Sequence, residues 1–116
     1  MKARLVGLDS WSSHLRIRLD KLPLSIGRGS KADVVVDDRW ASRVHCQIDE
    51  RDGLLWVRDL ESRNGTLVNG QHVSEAPLGP DDRITIGLTS FRVEFIRASM
   101  PSLEQAVEQR LARLSG

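Results

Sequence analysis

Three short polar stretches of the chain carry groups suited to holding an anion. The first contains Arg28, Ser30 and Lys31, the second Arg39, Ser42, Arg43 and His45, and the third Ser62, Arg63, Asn64 and Gly65. Guanidinium forks, hydroxyls and a side-chain amide all donate hydrogen bonds, and one oxyanion with several lone pairs can accept from them together. Asp33, Asp37 and Asp38 lie among the same residues and dilute the field, so composition alone fits a plainly solvated loop surface equally well.

Other chemistries fit poorly. Gly27-Arg28-Gly29-Ser30-Lys31-Ala32 superficially matches a glycine-rich dinucleotide loop, but such a loop must open a helix, and Asp33-Val34-Val35-Val36-Asp37 continues as a strand. Ser42 and His45, three residues apart, lack the Gly-x-Ser-x-Gly elbow and the third orienting group of a nucleophile and its base, so no enzymatic activity is expected. His14, His45, His72 and Cys46 stand singly, without the paired spacings of a zinc site; no metal and no cofactor are implied. Trp11, Trp40 and Trp56 are too far apart in sequence to interleave with a basic stripe as a nucleic-acid surface requires, and packing in the core or at its rim is their expected role.

The elements that must position these loops are strands. Leu15, Ile17 and Leu19 alternate with Arg16 and Arg18, and Phe91, Val93 and Phe95 alternate with Arg92 and Glu94, each run giving one apolar and one wet face. Similar runs fall at about 3–8, 22–26, 33–36, 44–49, 54–60, 66–69, 71–74 and 83–87. Many short strands at close spacing mean an all-β sandwich or barrel. Asn69-Gly70 between two such runs is the strongest hairpin signal, since a type I′ turn needs positive φ at both central residues. Asn64-Gly65 and Gly79-Pro80-Asp81-Asp82 mark further reversals.

The pattern changes near the end, dividing the chain into a β domain at 1–98 and an amphipathic helix at 99–116. Ser102 as N-cap with Gln105 three residues on makes a capping box, and Leu103, Val107, Leu111 and Leu114 form one stripe. A helix this short needs its stripe covered, by the sandwich itself in the simplest arrangement, by a partner, or by sequence beyond Gly116.

Charge and length bound the function classes. The 116 residues suit one domain, and a net charge of +1 excludes a strongly basic nucleic-acid binder. Cys46 is the single cysteine and the opening residues lack the apolar run of a signal peptide or membrane span, so a reducing, cytoplasmic setting is expected. The basic side chains comprise three lysines, at 2, 21 and 31, and 14 arginines. A GC-rich genome explains that bias simply, although arginine forks also bind oxyanions bidentately.

Taken in order, Ile26-Gly27-Arg28, Ser42-Arg43-Val44-His45, Asn64-Gly65-Thr66 and Asn69-Gly70 resemble the forkhead-associated (FHA) domain. The likeness runs from about residue 3 to 97 and includes Ala32-Asp33-Val34-Val35-Val36-Asp37-Asp38 and Asp59-Leu60-Glu61-Ser62. The resemblance implies a two-sheet β-sandwich of about eleven short strands that reads phosphothreonine in an extended peptide through its loops. It implies Arg28 and Ser42 as direct phosphate ligands, Arg43 as a contact to phosphate or peptide backbone, and Asn64 as a hydrogen-bonding partner of the peptide main chain. His45 is implied to brace the loop presenting Ser42, with Gly27, Gly65, Asn69 and Gly70 as backbone requirements. Arg63 departs from the family, which often has a small hydroxyl residue there; a phosphate contact, a preference for an acidic peptide residue and simple solvation all fit it.

The function so implied is a non-catalytic phosphothreonine-dependent adaptor. Its partner would be a phosphothreonine-containing protein, such as a Ser/Thr kinase or its substrate, with no nucleic acid or membrane involved. The alternative is a phosphate-independent scaffold using the same sandwich, with self-association through the C-terminal stripe.

Overall fold

Apolar and polar residues alternating at period two resolve into β-strands throughout the computed structural model, which describes residues 2–96. In chain order these are β1 (Ala3–Gly7), β2 (Arg16–Arg18), β3 (Leu24–Gly27), β4 (Val34–Val35), β5 (Cys46–Arg51) and β6 (Leu54–Asp59). They continue with β7 (Thr66–Val68), β8 (Gln71–Val73), β9 (Glu75–Leu78), β10 (Arg83–Ile86) and β11 (Thr89–Phe95). The expected C-terminal helix lies outside the described residues.

Two sheets share the strands, in the orders β2-β1-β11-β10-β7-β8 and β4-β3-β5-β6-β9. Their inner faces meet in one apolar core. Leu5, Ile84, Ile86, Phe91 and Val93 enter it from the first sheet, and Ile26, Cys46, Ile48, Leu55 and Val57 from the second, all fully buried. β11 illustrates the logic: Thr89, Phe91 and Val93 are buried while the residues between them are only half so, as a strand with one solvated face demands. Burial, with the negative charge of Asp59 adding to it, pushes the Cys46 thiol up to about 12, so it stays a protonated core side chain.

The turn between β7 and β8 has the expected geometry, with φ of 51° at Asn69 and 83° at Gly70. β9 is a strand that the sequence pattern omits. Glu75-Ala76-Pro77-Leu78 contains a proline and no β-branched residue, yet it pairs with β6, placing Pro77 opposite Trp56. It succeeds because it is an edge, where a residue without an N–H need not break a ladder.

β3 and β4 run parallel although residues 28–33 alone connect them. A reciprocal clasp closes this hook: Asp33 Oδ2 accepts the Ser25 amide at 2.8 Å, and Ser25 Oγ accepts the Asp33 amide at 3.0 Å. The loop so closed begins with Arg28, and it opens toward the β4–β5 and β6–β7 loops.

Candidate functional site

Ser42 sits where three loops meet. Its carbonyl accepts the Arg28 amide at 3.0 Å, its own amide donates to His45 Nδ1 at 3.0 Å, and its hydroxyl oxygen accepts the Arg63 amide at 2.9 Å. With one lone pair taken by Arg63, the hydroxyl keeps its proton to donate to something else. A cleft of about 270 Å³ opens beside it, lined by Arg28, Arg39, Trp40, Ala41, Ser42, Arg63 and Asn64. Three guanidinium groups and a hydroxyl face this space, and no carboxylate lines it.

The bracing behind the cleft starts from a buried imidazole. His45 receives the Ser42 amide on Nδ1, so Nε2 carries the proton and donates to the Gly65 carbonyl at 2.8 Å. Both ring nitrogens are therefore spent on backbone, and neither is available as a base for the Ser42 hydroxyl. Asp59, at the end of β6, shapes the third loop: its carboxylate accepts from Ser62 Oγ, from the Ser62 amide at 3.1 Å and from Thr66 Oγ1 at 2.7 Å. Partial burial pushes the Asp59 carboxyl up, but these donors and the nearby His45 outweigh it and hold the group below its ordinary value. Ser62 Oγ passes the constraint on by accepting the Gly65 amide at 2.9 Å.

Two glycines are required by this geometry. A Cβ on Gly27 would lie 2.2 Å from the Arg43 carbonyl oxygen, so β3 can approach the second loop only without a side chain there. Gly65 has φ of +84°, a conformation L side chains rarely adopt, and a Cβ on it would meet the His72 ring at 2.6 Å.

The second loop is also tied across the sandwich. Asp38, buried, accepts the Trp40 amide at 2.9 Å on Oδ1, and on Oδ2 the Leu88 amide and Thr89 Oγ1, each at 2.7 Å. Burial raises the Asp38 carboxyl, while bonds from Thr89, Leu88, Trp40 and Ala41 more than offset this, leaving it below the usual range. Its carboxylate thus joins the loop to the β10–β11 turn and, with Asp37, borders a neighbouring hollow that also takes in Arg28 and Arg39. Asn64 closes the frame from the other side, with Nδ2 donating to the Trp40 carbonyl at 2.7 Å.

Arg28, Ser42, Arg63 and Asn64 therefore come together, as their sequence order suggests. Arg43 does not join them. Successive side chains along the loop diverge, so Arg43 lines a neighbouring groove with Ser30 and Lys31. The Asn69-Gly70 turn lies at the opposite end of β7 from Gly65; Asn69 instead bonds the Asp82 carboxylate at 3.0 Å and the Arg83 amide at 2.9 Å. What that turn supplies to the site is register, pairing Leu67 with His72 so that the imidazole backs Gly65. Arg39 and Trp40 are cleft residues missing from the resemblance-derived set. The Trp40 backbone tethers the loop, and the residue is 53% exposed on a rim shared with Trp11, far away in sequence.

The family model of the FHA domain matches residues 24–87, more than half of the chain. The chain belongs to the FHA domain family. This FHA domain is 37% identical over 81 residues to the glycogen accumulation regulator GarA of Mycolicibacterium smegmatis, covering 70% of this chain and 50% of that protein. Likewise it is 36% identical to the oxoglutarate dehydrogenase inhibitor of Corynebacterium diphtheriae, covering 70% of this chain and 55% of the other. The chain thus spans about half the length of the curated relatives it matches. A solved structure from work on phosphothreonine-dependent FHA domain interactions superposes with a TM-score of 0.75 at 29% identity, over 83% of this chain and 98% of that one.

The FHA domain's cleft presents hydrogen-bond donors of positive charge, held by backbone contacts rather than by ion pairs. Among the described residues, Arg28, Arg39 and Arg63 have no salt-bridge partner, whereas Arg4, Arg18 and Arg51 each have one and Arg92 has two. Such a site can hold a multivalent oxyanion. It offers no acid–base pair with which to transform one.

Proposed function

We propose that this domain is a non-catalytic adaptor that binds a phosphothreonine-containing segment of a partner protein, with the phosphate in the cleft beside Ser42. The observation that carries this reading is the free donor set around the Ser42 hydroxyl, whose acceptor side is occupied by the Arg63 amide. Arg28 supplies a fork to the phosphate and Ser42 its hydroxyl proton, satisfying an anion of about −1.5 to −2 charge with three acceptor oxygens. Asn64 uses one N–H on Trp40 and keeps its second N–H and its oxygen for the peptide main chain. Arg39 and Arg63 add charge at the rim. His45, Gly27 and Gly65 support the loops without touching the ligand.

The partner on this reading is a Ser/Thr kinase or a protein that such a kinase modifies. Likeness to a domain studied for phosphothreonine-dependent interactions supports it. The phosphate alone cannot separate threonine from serine; the γ-methyl must fit against the apolar floor that Ala41 gives the cleft. One peptide sequence in three forms tests this by fluorescence anisotropy. The phosphothreonine form is expected to bind, the phosphoserine form about tenfold more weakly, as a snug site for one methyl allows, and the unmodified form not measurably. Equal binding of phosphorylated and unmodified peptides overturns the proposal.

A further inference from the structure

We infer that the outer face of the six-stranded sheet, where β2, β1, β11 and β10 lie side by side, is a second docking surface, fitted to an acidic patch on the folded surface of a partner protein. Parity in these strands turns Leu5, Ile84, Phe91 and Val93 into the core and sends Arg4, Arg16, Arg18, Arg83 and Arg92 outward, five of the chain's 14 arginines. The other outward residues are Val6, Thr85, Ser90 and Glu94, so one carboxylate stands among five guanidinium groups. Neighbouring strands lie about 4.8 Å apart, which confines the five to a face about 14 Å across.

Register makes this arrangement work against the fold. Arg4 stands directly opposite Arg18, and Arg83 directly opposite Arg92. Like charges so placed destabilise a sheet. Glu94 relieves part of this, accepting from Arg4 Nε at 2.9 Å and pairing with Arg92 at 3.2 Å. Beyond the strand ends, Asp20 takes Arg18 at 2.9 Å and Asp81 takes Arg92 at 3.2 Å. The Arg16 guanidinium bonds the Ser13 and Leu15 carbonyls, and neither Arg16 nor Arg83 has an ion-pair partner among the described residues. The outer face of the other sheet is balanced instead: Arg58 stands opposite Glu75, and Arg51 bonds Glu75 at 2.9 Å while lying 4.6 Å over the Trp56 ring. An acidic surface laid on the first face supplies the counter-charge that the second face carries within itself.

The class of partner follows from what stands among the arginines. Guanidinium forks match carboxylates in bidentate geometry. A single-stranded nucleic acid stacks on aromatic platforms, and no outward residue of these strands is aromatic. A bilayer takes in apolar side chains, and the exposed large ones, Leu8, Trp11, Val35, Trp40, Leu54 and Leu88, all lie outside these four strands. Glu94, in the middle of the face, opposes any uniformly negative polymer or leaflet but suits a protein surface, where acidic and basic residues mix. The Arg83 carbonyl accepts the Asn69 amide at 2.8 Å, which places Arg83 at the end of β7 away from Gly65 and the Ser42 cleft. The surface is therefore independent of the phosphothreonine reading.

NMR titration of the isotope-labelled domain with a peptide of alternating glutamate and serine tests this. Extended, the peptide repeats its carboxylates about every 6.8 Å, the spacing of Arg16 and Arg18 along β2. Shifts are expected at the amides of β2, β1, β11 and β10 and at the Nε–H groups of their arginines. Arg16→Gln and Arg83→Gln together should weaken binding about fivefold, as the loss of two exposed ion pairs allows. The melting temperature of that double variant should be unchanged or raised, because Arg83 faces Arg92. Arg28→Ala should leave binding of this peptide unchanged. Shifts confined to the Ser42 cleft, full binding by the double variant, or a lowered melting temperature overturns the inference and leaves the phosphothreonine reading standing. Duplex DNA or phosphatidylserine vesicles that produce the same shifts at lower concentration than the peptide overturn the assignment to a protein partner.

Discussion

The His45 imidazole bridges Ser42 and Gly65, accepting the amide of one at 3.0 Å and donating to the carbonyl of the other at 2.8 Å. Its two partners lie in different loops, so one buried ring fixes the distance between the second and third walls of the cleft. His45→Ala removes both bonds and leaves a void, and should lower stability by about 2 to 4 kcal/mol. Chemical denaturation measures this. An unchanged midpoint would show that the loops hold each other without the ring.

Arg28 is exposed and has no ion-pair partner among the described residues, so its side chain does little for the fold. Arg28→Ala should weaken phosphopeptide binding at least tenfold, the equivalent of about 1.5 to 3 kcal/mol for a charge-assisted hydrogen bond, at an unchanged melting temperature. Calorimetric titration beside a thermal melt decides it, and a folded variant with full affinity removes Arg28 from the site.

Asn64 has a double role to separate. Its bond to the Trp40 carbonyl is exposed, so Asn64→Ala should cost about 0.5 to 1.5 kcal/mol of stability. The variant should bind phosphopeptide more weakly while binding inorganic phosphate nearly as before, because the phosphate is held by Arg28 and Ser42. Equal losses for both ligands would reassign Asn64 to holding the Trp40 loop.

Asp38 and Asp59 are both held below their ordinary value of 3.8, with hydrogen bonds to the ionised form outweighing burial. A depressed folded-state value means the stabilisation is complete above the unfolded value and disappears as pH falls through the folded one. Thermal melts should therefore show stability dropping below about pH 4. Asp59→Asn should start less stable and show a shallower acid dependence. Parallel curves for the two proteins would show that Asp59 carries none of it.

Local sequence determined the strands and most of the turn chemistry. Alternation set which face of β11 is buried, since side-chain direction in a strand depends only on parity. Asn69-Gly70 set its own turn because the required φ values belong to those two residue types. The ordered loop residues Arg28, Ser42 and Asn64 pointed to one site only through their resemblance to the FHA pattern, since residue type and spacing alone fitted a solvated loop surface equally well.

Tertiary structure decided the rest, where the deciding partner is remote in sequence. Glu75-Ala76-Pro77-Leu78 became a strand because β6 was there to pair with it and no further strand needed its other edge. Asp38 read as a loose loop charge until the β10–β11 turn, 50 residues on, met it with the Leu88 amide. Arg43 adjoins Ser42 in sequence yet faces a different groove, and Trp11 shares a rim with Trp40 only because two loops from separate sheets converge. Residue type and spacing fix what a segment can do locally; which groups share a cleft follows from strand order and register, which join residues that local pattern cannot relate.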